Sequence, residues 1–180
     1  MRIISGFLKA RRFSIPKSFP SRPTTDFAKE GLFNVLEHQM SLDELEILDL
    51  CAGTGNISFE FISREAGNVT AVDINSNCLR YIRKNAEEFK ISEQIETIKS
   101  DILFYLKRTD RKFDLIFADP PYEYKSHSEI AQIVFERELL KEDGLLIIEH
   151  GRHTKMENEP HFELVRQYGN VYFSFFRKDV

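Results

Sequence analysis

Short apolar runs alternate along this chain with longer segments in which apolar residues recur every three or four positions. The short runs are typical of buried strands, and the longer segments are typical of amphipathic helices. A regular alternation of the two predicts a parallel sheet covered on both faces. Strands are predicted at residues 47–50, 68–73, 94–98, 113–118 and 145–149, and helices at 57–66, 76–89, 102–107 and 128–139.

The C-terminal segment departs from this alternation. Two strand-like runs, residues 162–168 and 171–176, flank Gly169 and Asn170. A two-residue linker of this kind is typical of an antiparallel hairpin. We therefore predict an α/β fold with a seven-stranded, mostly parallel sheet that ends in an antiparallel C-terminal hairpin.

The N-terminal segment differs in another way. Apolar and basic residues interleave over residues 1–22, which predicts a folded β-hairpin rather than a loose tail. A helix follows, with Thr25 or Asp26 as its cap. The predicted organisation is a main domain, residues 23–180, with a basic hairpin extension, residues 1–22.

Composition narrows the class of protein. The chain has 180 residues, 42% of them hydrophobic, which suffices for a substantial core. No apolar stretch approaches the ~18 residues of a membrane span, and the first residues lack a signal peptide's long apolar region. Cys51 and Cys78 form no metal-binding pattern and are predicted to be free thiols. We expect a cytoplasmic monomer with no metal and no membrane partner.

Charge is distributed unevenly along the chain. Residues 1–22 contain six basic residues and no acid, so the net charge of −4 divides into +6 for this segment and −10 for the rest. A basic extension on an acidic body suits an anionic partner such as nucleic acid. The alternative is a solubilising tail, which the interleaved apolar residues disfavour.

A glycine-containing turn follows the first strand of the alternating series. Asp49 lies inside that strand, and Gly53 and Gly55 follow it, where the backbone can approach a ligand closely. A dinucleotide fingerprint would place a third glycine at position 58, where this chain has Ser58. The Asp49 carboxylate would repel a pyrophosphate but can receive an ammonium group, directly or through water.

Further polar residues follow the next two strands. Asp73 can accept hydrogen bonds from two ribose hydroxyls, and Asp101, with Ser100 beside it, can accept from an adenine amino group. The carboxyl ends of parallel strands meet at one edge of the sheet, where α/β proteins bind ligands. An ammonium, a ribose and an adenine without phosphate predict S-adenosylmethionine as the cofactor. The alternative is that Asp73 and Asp101 only cap helices.

The fourth strand ends in Asp119-Pro120-Pro121-Tyr122. Proline has no N–H for a sheet ladder, so this segment is a poor structural element. It suits a nucleobase amino group, whose two hydrogens the Asp119 carboxylate and the Pro120 carbonyl can accept. Tyr122 can stack on the base. These four residues predict methylation of an exocyclic amino group, with a base from a duplex flipped out.

Together these motifs resemble those of the bacterial small-subunit (16S) ribosomal RNA guanine-N2 methyltransferases, a class I, Rossmann-like family. The resemblance rests on residues 1–6, 22–26, 49–55 and 113–122. It implies a methyltransferase domain over residues 23–180 that acts on guanine N2 in ribosomal RNA or in a small-subunit assembly intermediate. It also implies that residues 22–26 border the cofactor and the target base. The predicted substrate-binding residues are Arg2, Arg11, Arg12, Arg22, Thr24 and Tyr124.

Other classes of protein fit less well. The main alternative is a DNA adenine or cytosine amino-methyltransferase, but 180 residues leave little room for the target-recognition insertion usual in such enzymes. Protein-glutamine methyltransferases more often have Asn where Asp119 stands. A non-catalytic RNA-binding module would need neither Asp119 nor the paired glycines. An oxidoreductase is disfavoured by Ser58 and Asp49.

Overall fold

The structure, a computed structural model, describes residues 1–13, 24–121 and 123–178. Two predicted site residues, Arg22 and Tyr122, lie outside these described residues. The helices are α1 (Asp26–Gln39), α2 (Asn56–Ser63), α3 (Ser76–Phe89), α4 (Ile102–Arg108) and α5 (His127–Glu136), with a 3-10 turn at Ser92–Gln94. The strands are β1 (Glu46–Leu50), β2 (Asn68–Asp73), β3 (Ile95–Lys99), β4 (Phe113–Ala118), β5 (Leu140–His150), β6 (Phe162–Tyr168) and β7 (Val171–Phe176).

One seven-stranded sheet carries the fold, in the order β3-β2-β1-β4-β5-β7-β6. Strands β1 to β5 pair in parallel, whereas β7 runs antiparallel to both β5 and β6. The turn between β6 and β7 places Gly169 at a φ of 63°, a conformation that favours glycine. The predicted α/β fold, with a mostly parallel sheet and an antiparallel C-terminal hairpin, is confirmed.

Helices cover both faces of the sheet. Helices α1 to α3 pack on one face, with Leu32, Phe59 and Ile82 in its core, and α4 and α5 pack on the other, with Leu106 and Ile130. Because both faces are buried, the central strands consist of nearly continuous apolar runs, which makes them visible in the sequence. No helix within the described part of the chain is long and apolar enough to cross a membrane.

Local contacts set where the elements begin. Thr25 accepts a hydrogen bond from the amide of Ala28 and caps α1, and Asn75 caps α3 in a similar way. Strand β5 begins earlier than predicted, because Leu140 already pairs with Phe113 before an irregularity in the register. Thr25 is one of the two cap residues that the sequence predicts for the first helix.

The N-terminal arm, residues 1–13, folds back on itself. A single antiparallel bridge joins Arg2 to Arg12, and no regular pair of strands forms within these residues. Ile3 and Phe13 are buried in the same core as helices α1 to α3. The described part of the basic extension is therefore packed against the main domain rather than standing away from it.

Close contacts with α2 fix the turn of the arm, residues 5–10. The Leu8 amide donates to the Ser63 hydroxyl, which in turn donates to the Ser5 carbonyl oxygen. A Cβ atom at Gly6, where φ is 79°, would lie only 1.6 Å from the Ser63 carbonyl oxygen. Three backbone hydrogen bonds cross the arm: the Ile3 amide donates to Arg11, the Ala10 amide to Ile3 and the Phe13 amide to Met1. The described residues of the predicted hairpin therefore fold back on themselves, with their turn anchored on α2.

A buried ion pair joins the arm to α1 and α2. Lys29 and Glu60 are fully buried, and their Nζ and Oε2 atoms are 3.0 Å apart. Lys29 also donates to the Arg2 carbonyl oxygen and to the Asn56 side-chain oxygen, so all three of its donors are used. Glu60 accepts from two amides of the arm and from Arg64. Burial lowers the pKa of Lys29, and the charge of Glu60 opposes this effect.

Replacing Lys29 by Met should lower the free energy of unfolding by about 3–5 kcal/mol, because the buried Glu60 carboxylate loses a partner. The control is Lys141→Met, at a partly exposed site where Lys141 pairs with Glu46 and Asp114. That change should cost only about 0–1 kcal/mol. Urea denaturation measures both values, and equal small losses would show that the buried pair does not hold the arm.

Candidate functional site

The predicted site residues gather at the carboxyl edge of the sheet. Strands β3, β2, β1 and β4 are consecutive neighbours, and the register places Leu50 of β1 beside Val72 of β2 and Ala118 of β4. Segments that follow these strands therefore leave the sheet side by side. The described residues brought to this edge are Gly53, Gly55, Asp73, Ser100, Asp101, Asp119 and Pro120.

Left-handed backbone conformations shape the turn after β1. Cys51, Gly53 and Gly55 have φ angles of 61°, 54° and 76°, a region that glycine adopts without strain. A Cβ atom at Gly55 would also lie 3.0 Å from the side chain of Ile82. The turn therefore requires glycine at position 55 on two grounds, backbone conformation and space.

Asp73 fixes this turn from the end of β2. Its Oδ2 accepts from the Gly53 amide at 2.9 Å, and its Oδ1 accepts from the Asn75 amide at 2.7 Å. Asp73 does not cap α3, since Asn75 has that role. Each carboxylate oxygen can accept more than one hydrogen bond, so Asp73 retains capacity for the hydroxyls of a ligand.

Asp101 and Ser100 lie after β3, at the start of α4. Asp101 caps this helix, because its Oδ1 accepts from the Phe104 amide at 3.0 Å while the side chain stays exposed. The Ser100 hydroxyl donates to the carbonyl oxygen of Asp101. The simpler helix-cap interpretation of Asp101 is therefore realised, and the Oδ2 atom takes no part in it. The adenine contact remains a prediction.

Asp49 is buried behind the glycine turn, with a relative exposure of 1%. Burial, together with the charge of Asp73, raises the pKa of Asp49 to about 7. The Ser58 hydroxyl donates to its Oδ2 atom and so favours the ionised form. Ser58, which interrupts the dinucleotide fingerprint, thus supplies a hydrogen bond to the acid that distinguishes this site.

Three carboxylates lie on the same face of the sheet at this edge: Asp49, Asp119 and Glu149. Phe117 of β4 pairs with Asp49 of β1 and with Ile147 of β5, and every second residue of a strand faces the same side. Burial and the charge of neighbouring acids raise the pKa of both Asp119 and Glu149. In the described ranges, no cluster of three or more His, Cys, Asp or Glu is arranged to hold a metal ion.

Glu149 is a residue that sequence reasoning missed. Its Oε2 atom accepts a hydrogen bond of 2.8 Å from the Thr24 hydroxyl, and the Thr24 carbonyl accepts one of 3.1 Å from Asn56. Thr24 thereby links the start of α2 to the end of β5, at the edge to which it was predicted to belong. The feature of the sequence that could have identified Glu149 is its position near the end of a parallel strand, which it shares with the predicted acids.

Asp119 follows β4 without leaving the sheet, because its amide donates to the Leu50 carbonyl at 3.1 Å. Pro120 is buried, whereas Pro121 is exposed and its carbonyl accepts from the Tyr124 amide at 2.8 Å. Over residues 1–13, 24–121 and 123–178, no donor reaches the Asp119 carboxylate. A carboxylate and a carbonyl on a rigid proline therefore stand together at the edge as hydrogen-bond acceptors.

Tyr124 is half-buried beside α5. Its ring meets the His127 ring edge to face at a centroid distance of 5.6 Å. Burial, and then the charge of Asp101, raises the pKa of Tyr124 to about 12. Its hydroxyl is buried and has no hydrogen-bond partner among the described residues. Buried hydroxyls are almost always hydrogen-bonded, so this atom fits a contact with a ligand.

The basic residues of the arm differ in their surroundings. The Arg2 guanidinium pairs with Asp26 at 2.9 Å, whereas the side chains of Arg11 and Arg12 are exposed. Phe7 is 58% exposed on the same short segment. Exposed cations beside an exposed aromatic ring are features of nucleic-acid-binding surfaces.

Comparison with known proteins identifies the family to which the chain belongs. Residues 1–177 match the family model described as Conserved hypothetical protein 95. The chain is 31% identical over 170 residues to ribosomal RNA small subunit methyltransferase D of Haemophilus influenzae, covering 93% of this chain and 87% of that protein. It is 27% identical over 149 residues to the Escherichia coli K12 protein of the same name, covering 83% of this chain and 74% of that protein.

A solved structure shares the fold over the whole chain. It is an Escherichia coli protein provisionally named a methyltransferase, with a TM-score of 0.87 and 22% identity, covering 100% of this chain and 98% of that one. At this identity, the likeness supports the class I methyltransferase architecture and no finer property.

Replacing Asp49 by Asn should raise the melting temperature of the unliganded protein at about pH 8. The pKa of Asp49 is about 7 in the folded protein against an ordinary value of 3.8, so unfolding releases a proton between these values. The wild-type protein therefore loses stability as pH rises through this range. The variant does not, because Asn has no carboxyl group that titrates.

Thermal unfolding between about pH 5 and about pH 8 measures the difference in melting temperature between Asp49→Asn and wild type, which should widen as pH rises. Asp43→Asn, at an exposed position, is the control and should show no such widening. A difference between Asp49→Asn and wild type that stays constant with pH would contradict the raised pKa.

Proposed function

Since the chain belongs to the family described as Conserved hypothetical protein 95, we propose that it transfers a methyl group from S-adenosylmethionine to guanine N2 in small-subunit ribosomal RNA. One observation carries the proposal: Asp119 and the Pro120 carbonyl stand at the same sheet edge as the glycine turn and Asp73. The names of the relatives support ribosomal RNA as the substrate. The choice of base and atom is our inference from the chemistry of the site.

Several features of the edge fit S-adenosylmethionine. The turn at Gly53 and Gly55 offers backbone without side chains, and Asp73 has lone pairs for ribose hydroxyls. Asp49 is a buried carboxylate whose hydrogen-bond partner, Ser58, is neutral, so an ammonium group would relieve its burial. The Tyr124 hydroxyl has no hydrogen-bond partner among the residues that the structure describes. When bound, the cofactor supplies an electrophilic methyl group on a sulfonium sulfur.

The chain's own residues would act by orienting the target amino group. The Asp119 carboxylate and the Pro120 carbonyl accept its two hydrogens, which directs the nitrogen lone pair toward the methyl group. The bound cofactor would supply the methyl group and would take up the electrons of the broken C–S bond as a neutral thioether. The proton that N2 then loses passes to Asp119 or to water. Positioning in line with the methyl group supplies much of the rate.

The alternative substrates are adenine or cytosine in DNA. The same two acceptors at Asp119 and Pro120 would serve any exocyclic amino group, so they do not distinguish the bases. The exposed Arg11 and Arg12 suit either nucleic acid. Similarity to ribosomal RNA methyltransferases over most of the chain favours RNA.

The substrate can be tested directly with S-adenosylmethionine carrying a labelled methyl group. We expect label to enter small-subunit ribosomal RNA, either free or in partly assembled subunits, and to be recovered as N2-methylguanosine after digestion to nucleosides. Large-subunit RNA and duplex DNA are the controls. Label in DNA, or in methylated adenine or cytosine, would overturn the proposal and favour the alternative.

Replacing Asp119 by Ala should lower kcat by about a hundredfold or more, the loss expected when one preorganised hydrogen-bonding group is removed. Cofactor affinity measured by calorimetry should change little, because Asp119 faces the target amino group. Asp73→Asn should show the opposite pattern, with weaker cofactor binding as its main effect. If Asp119→Ala weakened cofactor binding while kcat at saturating cofactor was preserved, the role assigned to Asp119 would be wrong.

A further inference from the structure

We propose that Glu149 selects guanine by accepting the N1–H of the target base. This inference rests on the proposed function and adds a determinant of base identity to it. Glu149 lies one residue beyond Ile148, which pairs with Ala118, so it is the neighbour of Asp119 across β4 and β5. Both side chains face the side of the sheet on which α1 to α3 pack.

Thr24 holds the Glu149 carboxylate in place. The Thr24 side chain is 7% exposed, and its hydroxyl donates to Glu149 Oε2 at 2.8 Å. Thr24 itself is anchored through Asn56, whose side-chain oxygen accepts from the buried Lys29. The orientation of Glu149 is therefore set by a series of hydrogen bonds. Burial raises the pKa of Glu149 to about 7, and the Thr24 hydroxyl opposes this effect, so the ionised form is the main form above about pH 7.

One oxygen of Glu149 is not used by this contact. Thr24 reaches Oε2, and no donor from the described ranges reaches Oε1. Glu149 is half-buried, and Oε1 is not one of the fully buried, unpaired side-chain atoms of the described residues, so this oxygen is accessible to a hydrogen bond from substrate. Asp119 and Pro120 would take the amino hydrogens, and Glu149 is the cross-strand neighbour of Asp119. Two ring nitrogens of guanine flank the amino group, N1 and N3, and our proposal places Glu149 against N1, because N3 is an acceptor that a carboxylate would repel.

The bases differ at that ring atom. In guanine, N1 beside the amino group carries a hydrogen, which an ionised carboxylate can accept. In adenine and in cytosine, the ring nitrogens beside the amino group are acceptors, so a carboxylate placed against one of them meets like partial charge. Enzymes recognise a flipped-out base through its Watson–Crick edge, which includes this ring nitrogen. An ionised Glu149 therefore favours guanine over the two bases of the alternative reaction.

The test uses small-subunit RNA whose mapped target nucleotide is guanine or 2-aminopurine, which keeps the amino group but lacks the N1 hydrogen. For wild type, kcat/KM should favour guanine. In Glu149→Gln, the ratio of the two kcat/KM values should fall by about tenfold or more, since a charge-assisted hydrogen bond is lost on guanine only. The intrinsic reactivities of the two bases cancel when the ratios of the two proteins are compared.

Three further variants separate base selection from folding. Thr24→Val removes the hydroxyl that orients Glu149 and should lower the same ratio, whereas Thr24→Ser should retain it. Glu163→Gln, in a surface ion pair with Arg177, should leave the ratio unchanged. Calorimetry with S-adenosylmethionine confirms that each variant is folded and binds cofactor.

The outcomes distinguish this inference from the proposed function. An unchanged ratio in Glu149→Gln, or an equal loss of rate on both bases, would overturn the role of Glu149 while leaving guanine methylation intact. Methylation of adenine or cytosine, or of no base, by the wild-type protein would instead overturn the proposed function, and the inference with it.

Discussion

The buried ion pair between Lys29 and Glu60 is the contact on which both the arm and the candidate site depend. It lies where the arm, α1 and α2 meet, and every donor of the lysine is used. From Lys29, hydrogen bonds continue through Asn56 and Thr24 to Glu149 at the end of β5. A charge pair that holds the N-terminal segment therefore also sets the position of an acid in the site.

The sheet edge concentrates negative charge in a partly buried space. Asp49, Asp119 and Glu149 face the same side, and burial raises the pKa of all three. Such groups weaken the unliganded protein at neutral pH, because their charged forms are poorly solvated. A cation and a set of N–H donors would relieve this cost. The arrangement is thus better suited to the liganded protein than to the free one.

The N-terminal arm combines two roles that its composition alone does not separate. Its apolar residues, such as Ile3 and Phe13, complete the core over α1 to α3, while Arg11 and Arg12 face solvent. Because Gly6 and Leu8 dock on Ser63, those cations are carried on an anchored segment rather than a loose tail. An anchored segment that presents exposed cations suits an anionic partner.

The sequence by itself determined the α/β fold, since strand and helix periodicities are local, and it placed Asp49, Asp73 and Asp119 at one edge, since parallel strands end together. The tertiary structure alone decided that Lys29 is a buried anchor and that Glu149 joins the site. These roles depend on contacts between distant segments: Thr24 and Glu149 are 125 positions apart in the chain. No local pattern records such a contact, because packing of the folded chain creates it.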